Sequence, residues 1–86
     1  MKIGIAGSLE SNDALITVKK SDQVTIKVTS IVDAFYHDQI VAVIERTLKD
    51  LNQEQIDVVC IDKGALDYTI KARLITALHR MEGTHE

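Results

Sequence analysis

The sequence lacks several residue types that common functional classes need. It contains no proline, four glycines, one cysteine and only three aromatic residues, none of them tryptophan. A single cysteine excludes an internal disulfide and a cysteine-based metal site. Three aromatic residues imply an aliphatic core and leave few platforms on which nucleic-acid bases could stack.

Clustered positive charge and long apolar runs are also missing. The formal charge is −3, and the basic residues are interspersed with acidic ones, whereas contact with phosphate backbones requires clustered lysine and arginine. No apolar run approaches the roughly 20 residues that span a bilayer. The N-terminus has no basic segment followed by an apolar one, which an export signal requires. We therefore expect a cytoplasmic protein that binds neither nucleic acid nor membrane.

The 86 residues fit one domain, 1–86, with a small core and a frayed tail at 82–86. Segments 14–19 and 24–30 alternate apolar and polar residues, which predicts two strands, and the polar turn between them favours an antiparallel hairpin. Segment 56–61 is nearly continuous in β-branched residues, so it is predicted to be a strand covered on both faces. The apolar start, 1–6, could form a fourth strand.

Two helices are predicted from apolar residues that recur at three- and four-residue steps. The first begins near residue 37, where Asp33 and Asp38 suit a helix start, and its apolar face is Ile40, Val43, Ile44, Thr47, Leu48 and Leu51. The second runs from near Asp67 to Met81 with a stripe of Ile70, Leu74, Ala77, Leu78 and Met81. The order strand, strand, helix, strand, helix predicts a small two-layer α+β sandwich. Both helices pack on one face of a sheet of three strands, or of four if 1–6 is included.

Most candidate sites are better explained as ordinary structure. Gly4 and Gly7 resemble a dinucleotide-binding turn only superficially, because a strand pattern and not a helix follows them. His37, His79 and His85 are too scattered to form a metal site. Ser11 and His37 belong to no nucleophile motif that would support hydrolysis, and Cys60 lies in the most apolar strand, where it is expected to be an inert core residue.

Two polar segments remain. In residues 62–67, Gly64 is expected to make a bend and Asp67 to cap the second helix. The other segment is Gly7-Ser8-Leu9-Glu10-Ser11-Asn12-Asp13. Its short polar side chains are typical of a turn in which they bond their own backbone. An exposed serine in such a loop could also be a covalent attachment point, because the modifying enzyme would supply the base and the electrophile.

The loop Gly7–Asp13, following Ala6, closely resembles the modification loop of citrate lyase acyl carrier proteins, the gamma chains of that enzyme. The stretch Asp62-Lys63-Gly64-Ala65-Leu66-Asp67, continuing Ile70-Lys71-Ala72-Arg73-Leu74, resembles a second signature of the same family. Both motifs lie at the separation expected in that family and the chain length fits, so the resemblance covers essentially the whole chain. The corner 66–73 is a candidate docking element on the strength of this resemblance alone.

The resemblance implies a specific chemistry. The family carries 2'-(5''-phosphoribosyl)-3'-dephospho-CoA, joined by a phosphodiester to the second serine of the loop, which is Ser11 here. A prosthetic-group transferase attaches this arm, whose thiol holds an acetyl group. The alpha subunit (acyl transferase) exchanges acetyl for citrate, and the beta subunit (citryl lyase) releases oxaloacetate and regenerates the acetyl thioester. The resemblance thus implies a carrier subunit with no catalytic residue and no metal of its own.

Two departures and two alternatives accompany this interpretation. Position 8 is serine where the family often has threonine, so Ser8 is a second hydroxyl near the attachment point, and position 68 is tyrosine where some relatives have cysteine. The acyl carrier of malonate decarboxylase uses the same kind of arm, but its loop lacks the Leu-Glu that precedes the serine. The remaining alternative is an interaction domain that is not an enzyme and whose loop is unmodified.

Overall fold

The computed structural model describes residues 2–31 and 34–83. Its elements in chain order are β1 (Ile3–Gly7), β2 (Ala14–Lys20), β3 (Thr25–Ser30), α1 (Ala34–Asp50), β4 (Ile56–Asp62) and α2 (Asp67–Met81). The predicted α+β sandwich is therefore confirmed. The apolar start contributes the strand β1, so the sheet has four strands.

The strand order differs from the predicted hairpin. The four strands lie in the order β1-β2-β4-β3, with β4 antiparallel to β2 and parallel to β3. The prediction that segments 14–19 and 24–30 pair with each other was wrong, because β4, the most apolar strand, takes the central position between them. The hairpin is formed by β1 and β2 instead. A helical crossover through α1 joins the parallel pair β3 and β4, as parallel neighbours require.

The core lies between one face of the sheet and the two helices. Helix α2 packs on β1 and β2, while α1 packs against β3 and α2. The strands contribute to the buried core Ala6, Ala14, Ile16, Val18, Ile56, Val58 and Cys60. The other sheet face is open, so the prediction that 56–61 is covered on both faces was wrong. Because both helices lie on the same side, Asp57, Val59 and Ile61 remain only half-buried.

The helical stripes agree with the sequence prediction. In α1, Ile40, Ile44 and Leu48 are buried, and every predicted stripe residue of α2 is buried. Leu51 is the exception, since it follows the end of α1 and is exposed.

The helix starts differ from the prediction in detail. Asp38 lies in the second turn of α1, and Asp33 lies outside the described residues. Asp67 does not cap α2, because Leu66 holds the cap position with no side-chain hydrogen bond. Asp67 occupies the first turn, where its charge favourably meets the helix dipole. Of the tail, Glu82 ends α2 and Gly83 follows it, and 84–86 lie outside the described residues.

Cys60 is the inert core residue that the sequence predicts. Its side chain is fully buried in β4. Burial, reinforced by the nearby charge of Asp62, raises the pKa of the Cys60 thiol to about 12. A thiol in this state does not form the reactive thiolate at neutral pH.

Of the two helices within residues 2–31 and 34–83, neither is long and apolar enough to cross a membrane.

Gly4 lets helix α2 pack directly on the edge strand β1. A β-carbon at Gly4 would lie 1.8 Å from the carbonyl oxygen of Ala77 and 2.6 Å from the amide nitrogen of Met81. Both atoms belong to the helix backbone, which cannot move aside as a flexible side chain does. The strand and the helix therefore touch main chain to main chain at this position.

We predict that Gly4→Ala destabilises the protein by at least about 2 kcal/mol, because α2 must shift away from β1 to admit one methyl group. Urea unfolding followed by circular dichroism measures this loss. Ile5→Ala, a change at the neighbouring half-exposed position on the open face, is the control and should cost less. Equal losses for the two variants would contradict the close contact.

Candidate functional site

Four strand ends meet at one end of the sheet, which we call the loop end. Gly7 at the end of β1 pairs with Leu15, the second residue of β2. Asp62 at the end of β4 pairs on one side with Ala14, the first residue of β2, and on the other side with Ser30, the last residue of β3. The hairpin loop 8–13, the corner 63–66 and the start of both helices therefore lie together at this end. The two motifs of the sequence analysis, 50 residues apart, are brought side by side by this topology.

Backbone hydrogen bonds attach the loop 8–13 to the corner 63–66. The Asn12 N–H donates to the Lys63 carbonyl at 2.8 Å, and the Lys63 N–H donates to the Asp13 carbonyl at 2.8 Å. The Asp13 N–H donates to the Glu10 carbonyl at 3.1 Å, which closes a tight turn within the loop. Gly7 and Asn12 adopt positive φ angles of 94° and 65° where the chain reverses. The loop is thus held on its second half and not merely tethered at its ends.

The carboxylate of Asp13 accepts the side-chain hydrogen bonds that hold the loop to its neighbours. Its Oδ1 accepts the Ala14 N–H at 2.7 Å, and its Oδ2 accepts the Ser8 hydroxyl at 2.7 Å. Arg73 on α2 donates Nε–H to Oδ1 at 2.9 Å and Nη2–H to Oδ2 at 3.2 Å. This two-pronged geometry is the one that guanidinium and carboxylate groups favour. One side chain therefore joins both ends of the loop to the helix.

The same contacts set the protonation of Asp13. Hydrogen bonds from Arg73 first, and then from Ser8 and the Ala14 N–H, lower the pKa of the Asp13 carboxyl from 3.8 to about 2. The pKa of Arg73 is raised, mainly by its hydrogen bonds with Asp13. The pair is consequently charged throughout the physiological pH range, and Asp13 is a weak base.

The two loop serines have different surroundings. The Ser8 side chain is half-buried, donates to Asp13 and accepts the Glu10 N–H at 3.2 Å. Ser11 is exposed, and no side-chain hydrogen bond joins it to any other described residue. The structure therefore presents one free hydroxyl in this loop and keeps the other engaged.

Asp62 shapes the corner on which the loop rests. It is the one acidic residue among the buried side chains of the described chain, with 1% of its surface exposed. Its carboxylate accepts the Ser30 hydroxyl at 2.8 Å, the Gly64 N–H at 3.1 Å and the Ala65 N–H at 2.9 Å. Three donors offset the cost of burying this side chain and fix the path of the chain from β4 into α2.

Apolar side chains surround the loop end. The exposed ones, each more than half accessible, are Leu9, Ile31, Tyr36, Leu66 and Tyr68. A shallow pocket of about 200 Å³ lies between the starts of α1 and α2 and is lined in part by Tyr36, Ile40 and Leu66. Apolar groups of this kind around an exposed hydroxyl suit contact with another protein.

The rest of the described chain offers no catalytic cluster. No group of three or more metal-ligating side chains occurs within residues 2–31 and 34–83. His37 contacts the Val28 carbonyl at 3.1 Å, His79 is exposed on α2, and His85 lies outside the described residues. The larger pocket, about 410 Å³, lies at the opposite end and is lined by Val24, Glu45, Leu48, Lys49, Asn52, Gln53 and Glu54. None of these residues is a nucleophile placed next to a base.

Sequence reasoning found the loop and its serine but missed what holds them. The prediction that short polar side chains bond the loop's own backbone is confirmed by Ser8 and Asp13. The ion pair between Asp13 and Arg73 joins residues 60 positions apart, and no periodicity signals it. A weak signal was available, since Arg73 lies off the buried stripe of α2 on the side that faces the loop.

Comparison with known proteins identifies relatives along nearly the whole chain. A family model described as "ACP: Malonate decarboxylase delta subunit (MdcD)" matches residues 1–81. The citrate lyase acyl carrier protein of Streptococcus mutans serotype c is 51% identical over 78 residues, which cover 88% of this chain and 76% of the relative. That of Streptococcus uberis is 48% identical over 84 residues, covering 96% and 83%.

Solved structures share the fold at low identity. A chain in the crystal structure of a Pseudomonas malonate decarboxylase hetero-tetramer in complex with malonate superposes with a TM-score of 0.79 at 17% identity, covering 93% of this chain and 84% of that one. The Staphylococcus aureus RNase P protein has a TM-score of 0.58 at 12% identity, covering 92% and 84%. These similarities show that the fold recurs, and they do not by themselves assign a function.

We predict that Asp13→Asn lowers stability at neutral pH and that this loss disappears in acid. Because the pKa of the folded-state carboxyl is about 2 against 3.8 ordinarily, its stabilisation is present above about pH 4 and is lost as the pH falls towards 2. Urea midpoints of the two proteins should therefore differ most near neutrality and converge in acid.

The exposed Asp22 in the turn between β2 and β3 supplies a matched control, since Asp22→Asn should leave the midpoint unchanged across the same pH range. A constant difference between wild type and Asp13→Asn at every pH would show that the ionised carboxylate is not the stabilising group.

Proposed function

Because this chain belongs to the family of citrate lyase acyl carrier proteins and malonate decarboxylase delta subunits, we propose that it is the cytoplasmic acyl carrier subunit of a citrate lyase. Membership of an acyl carrier family implies a covalently attached prosthetic group. We assign the attachment to Ser11, and the group to the 2'-(5''-phosphoribosyl)-3'-dephospho-CoA arm that the resemblance implies.

The contrast between a fixed loop and a free hydroxyl carries this proposal. The loop is held by Asp13 and by the backbone bonds to Lys63, yet Ser11 within it is exposed and has no partner among the described residues. A serine that serves the fold would be expected to bond its own turn, as Ser8 does. An attachment serine needs the opposite, a hydroxyl that another enzyme can reach.

The surroundings of Ser11 fit such a group. The residues beside it, Glu10 and Asn12, are exposed and impose no wall around the hydroxyl, so a long substituent would extend into solvent. When attached, the arm would supply a terminal thiol that carries an acetyl group as a thioester. The chain's own part is to hold the attachment point at a defined place, which raises the local concentration of the thioester at partner active sites.

The catalytic work is accordingly assigned to other subunits. We propose that the alpha subunit exchanges the acyl group and that the beta subunit cleaves the citryl group to oxaloacetate. We propose that this chain acts as a carrier and not as a catalyst, in keeping with the names of its acyl carrier relatives. The exposed Leu9, Leu66 and Tyr68 at the loop end are the proposed contacts for these partners and for the prosthetic-group transferase.

A malonate decarboxylase carrier is the second candidate. The matching family description and the fold similarity at a TM-score of 0.79 favour it. The sequence identity ranks it below citrate lyase, since the named citrate lyase carriers are 51% and 48% identical to this chain and the malonate decarboxylase chain is 17% identical.

We predict that the protein purified from its native host has a single mass adduct located on Ser11. Intact-mass analysis and peptide mapping measure it. Ser11→Ala should fold normally and lack the adduct, since the exposed hydroxyl makes no side-chain hydrogen bond with another described residue. Ser8→Ala, the matched control, should keep the adduct on Ser11.

Other outcomes would redirect the assignment. An unmodified native protein would favour an interaction domain, and an adduct of phosphopantetheine alone would indicate a conventional carrier. Co-purification of the tagged protein with a citrate-cleaving activity supports the citrate lyase assignment, whereas a malonate-dependent decarboxylase would support the second candidate.

A further inference from the structure

The loop contains two serines, Ser8 and Ser11, either of which could accept the arm from the transferase. Both hydroxyls lie in one six-residue loop, three positions apart, so a transferase that recognises the loop meets two chemically identical acceptors. Only one adduct is expected if the proposed function holds. Some feature of the loop must then exclude one of the two serines.

We propose that Asp13 is a positioning residue that directs attachment of the arm to Ser11 by keeping the Ser8 hydroxyl engaged. This inference rests on the proposed function, because it concerns which serine the arm is attached to. It adds a role for a residue that is neither the attachment point nor a catalyst.

The chemistry of attachment shows why engagement matters. The serine oxygen attacks the phosphorus of an activated arm, a phosphoanhydride, so a new P–O ester bond forms and the anhydride P–O bond breaks. The phosphate chain leaves with the bonding electron pair, and the hydroxyl proton passes to a base of the transferase. The acceptor therefore needs both an accessible lone pair and a proton that the transferase can remove.

Ser8 meets both requirements less well than Ser11. Its proton is donated to Asp13 Oδ2 at 2.7 Å, and its oxygen accepts the Glu10 N–H at 3.2 Å. The side chain is also half-buried, whereas that of Ser11 is exposed. Attack by Ser8 would require its proton to leave Asp13 for the transferase base, and the bond from Glu10 leaves one lone pair on the oxygen for the arm.

Asp13 does not itself activate Ser8. A carboxylate next to a serine could act as a base, but Asp13 also accepts the Ala14 N–H and two hydrogen bonds from Arg73. Spread over four donors, its charge has little affinity left for a proton. Asp13 therefore holds the Ser8 proton without taking it, and Arg73 keeps the carboxylate in the place where it can do so.

Variants in a Ser11→Ala background test this directly. With purified prosthetic-group transferase and the activated arm precursor, Ser11→Ala should accept no arm, because Ser8 remains bonded to Asp13. Ser11→Ala/Asp13→Asn should accept the arm on Ser8, and the amount of Ser8 adduct should be at least about 10-fold above the background measured with Ser11→Ala. The amide keeps the volume and one acceptor for the Ala14 N–H, but its nitrogen replaces the oxygen that accepts the Ser8 proton.

Arg73→Met in the same background is the matched control. It removes the ion pair and loosens the loop, but the Asp13 carboxylate remains to accept the Ser8 proton, so the gain of adduct on Ser8 should be clearly smaller than with Asp13→Asn. Intact mass with peptide mapping gives the attachment site in every case. Asp13→Ala is a second variant with the same expected gain at Ser8.

Three results would overturn the inference. The first is efficient modification of Ser8 in Ser11→Ala alone. The second is an unmodified Ser8 in Ser11→Ala/Asp13→Asn while the single variant Asp13→Asn still accepts the arm on Ser11, which shows that it folds and is recognised. The third is an equal gain at Ser8 with Arg73→Met. Failure of the wild type to accept any arm would instead contradict the proposed function itself.

Discussion

The central position of β4 is the constraint on which the loop end depends. Because β4 pairs antiparallel with β2 and parallel with β3, the ends of these three strands and the turn of the β1–β2 hairpin lie together at the loop end of the sheet. If β2 and β3 had paired directly, the corner 63–66 would not lie beside the loop 8–13. The backbone bonds between Asn12, Asp13 and Lys63 continue the β2–β4 ladder past the last strand residues, so the loop is an extension of the central sheet.

Two carboxylates organise this end in different ways. Asp62 is buried and takes donors from the residues just after its own strand and from Ser30 on β3, so it fixes the corner from within. Asp13 lies nearer the surface and reaches across to Arg73 on α2. A domain of 86 residues has a small core, and its loop 8–13 is held by charge-assisted and backbone hydrogen bonds.

The sequence predicted the parts of the structure that follow from local periodicity. Helix α2 is confirmed with its whole buried stripe, because residues such as Ile70 and Leu74 repeat at helical spacing along one face. Strand pairing was mispredicted because adjacency along the chain favours a hairpin, whereas the burial of β4 depends on the whole sheet. The cap of α2 was also mispredicted, since Leu66 holds the cap position and its carbonyl accepts the Thr69 and Ile70 N–H groups that Asp67 was expected to take. Ser11 is predicted as the attachment point through family resemblance alone. The Asp13–Arg73 pair that holds its loop was not predicted, since a contact between residues 60 positions apart leaves no local pattern.

Cys60 acquires a different meaning if the proposed arm, which would end in a thiol, is attached to this chain. A carrier that presents a thioester risks losing its acyl group by transfer to any other thiolate on the same chain. The chain has one cysteine, fully buried in the central strand with a pKa of about 12. Its sulfur can meet neither the thioester nor the free thiol while the sheet is intact. Under the proposed function, the packing of β4 therefore also protects the thioester, since it keeps the one cysteine thiol of the chain out of reach of the proposed arm.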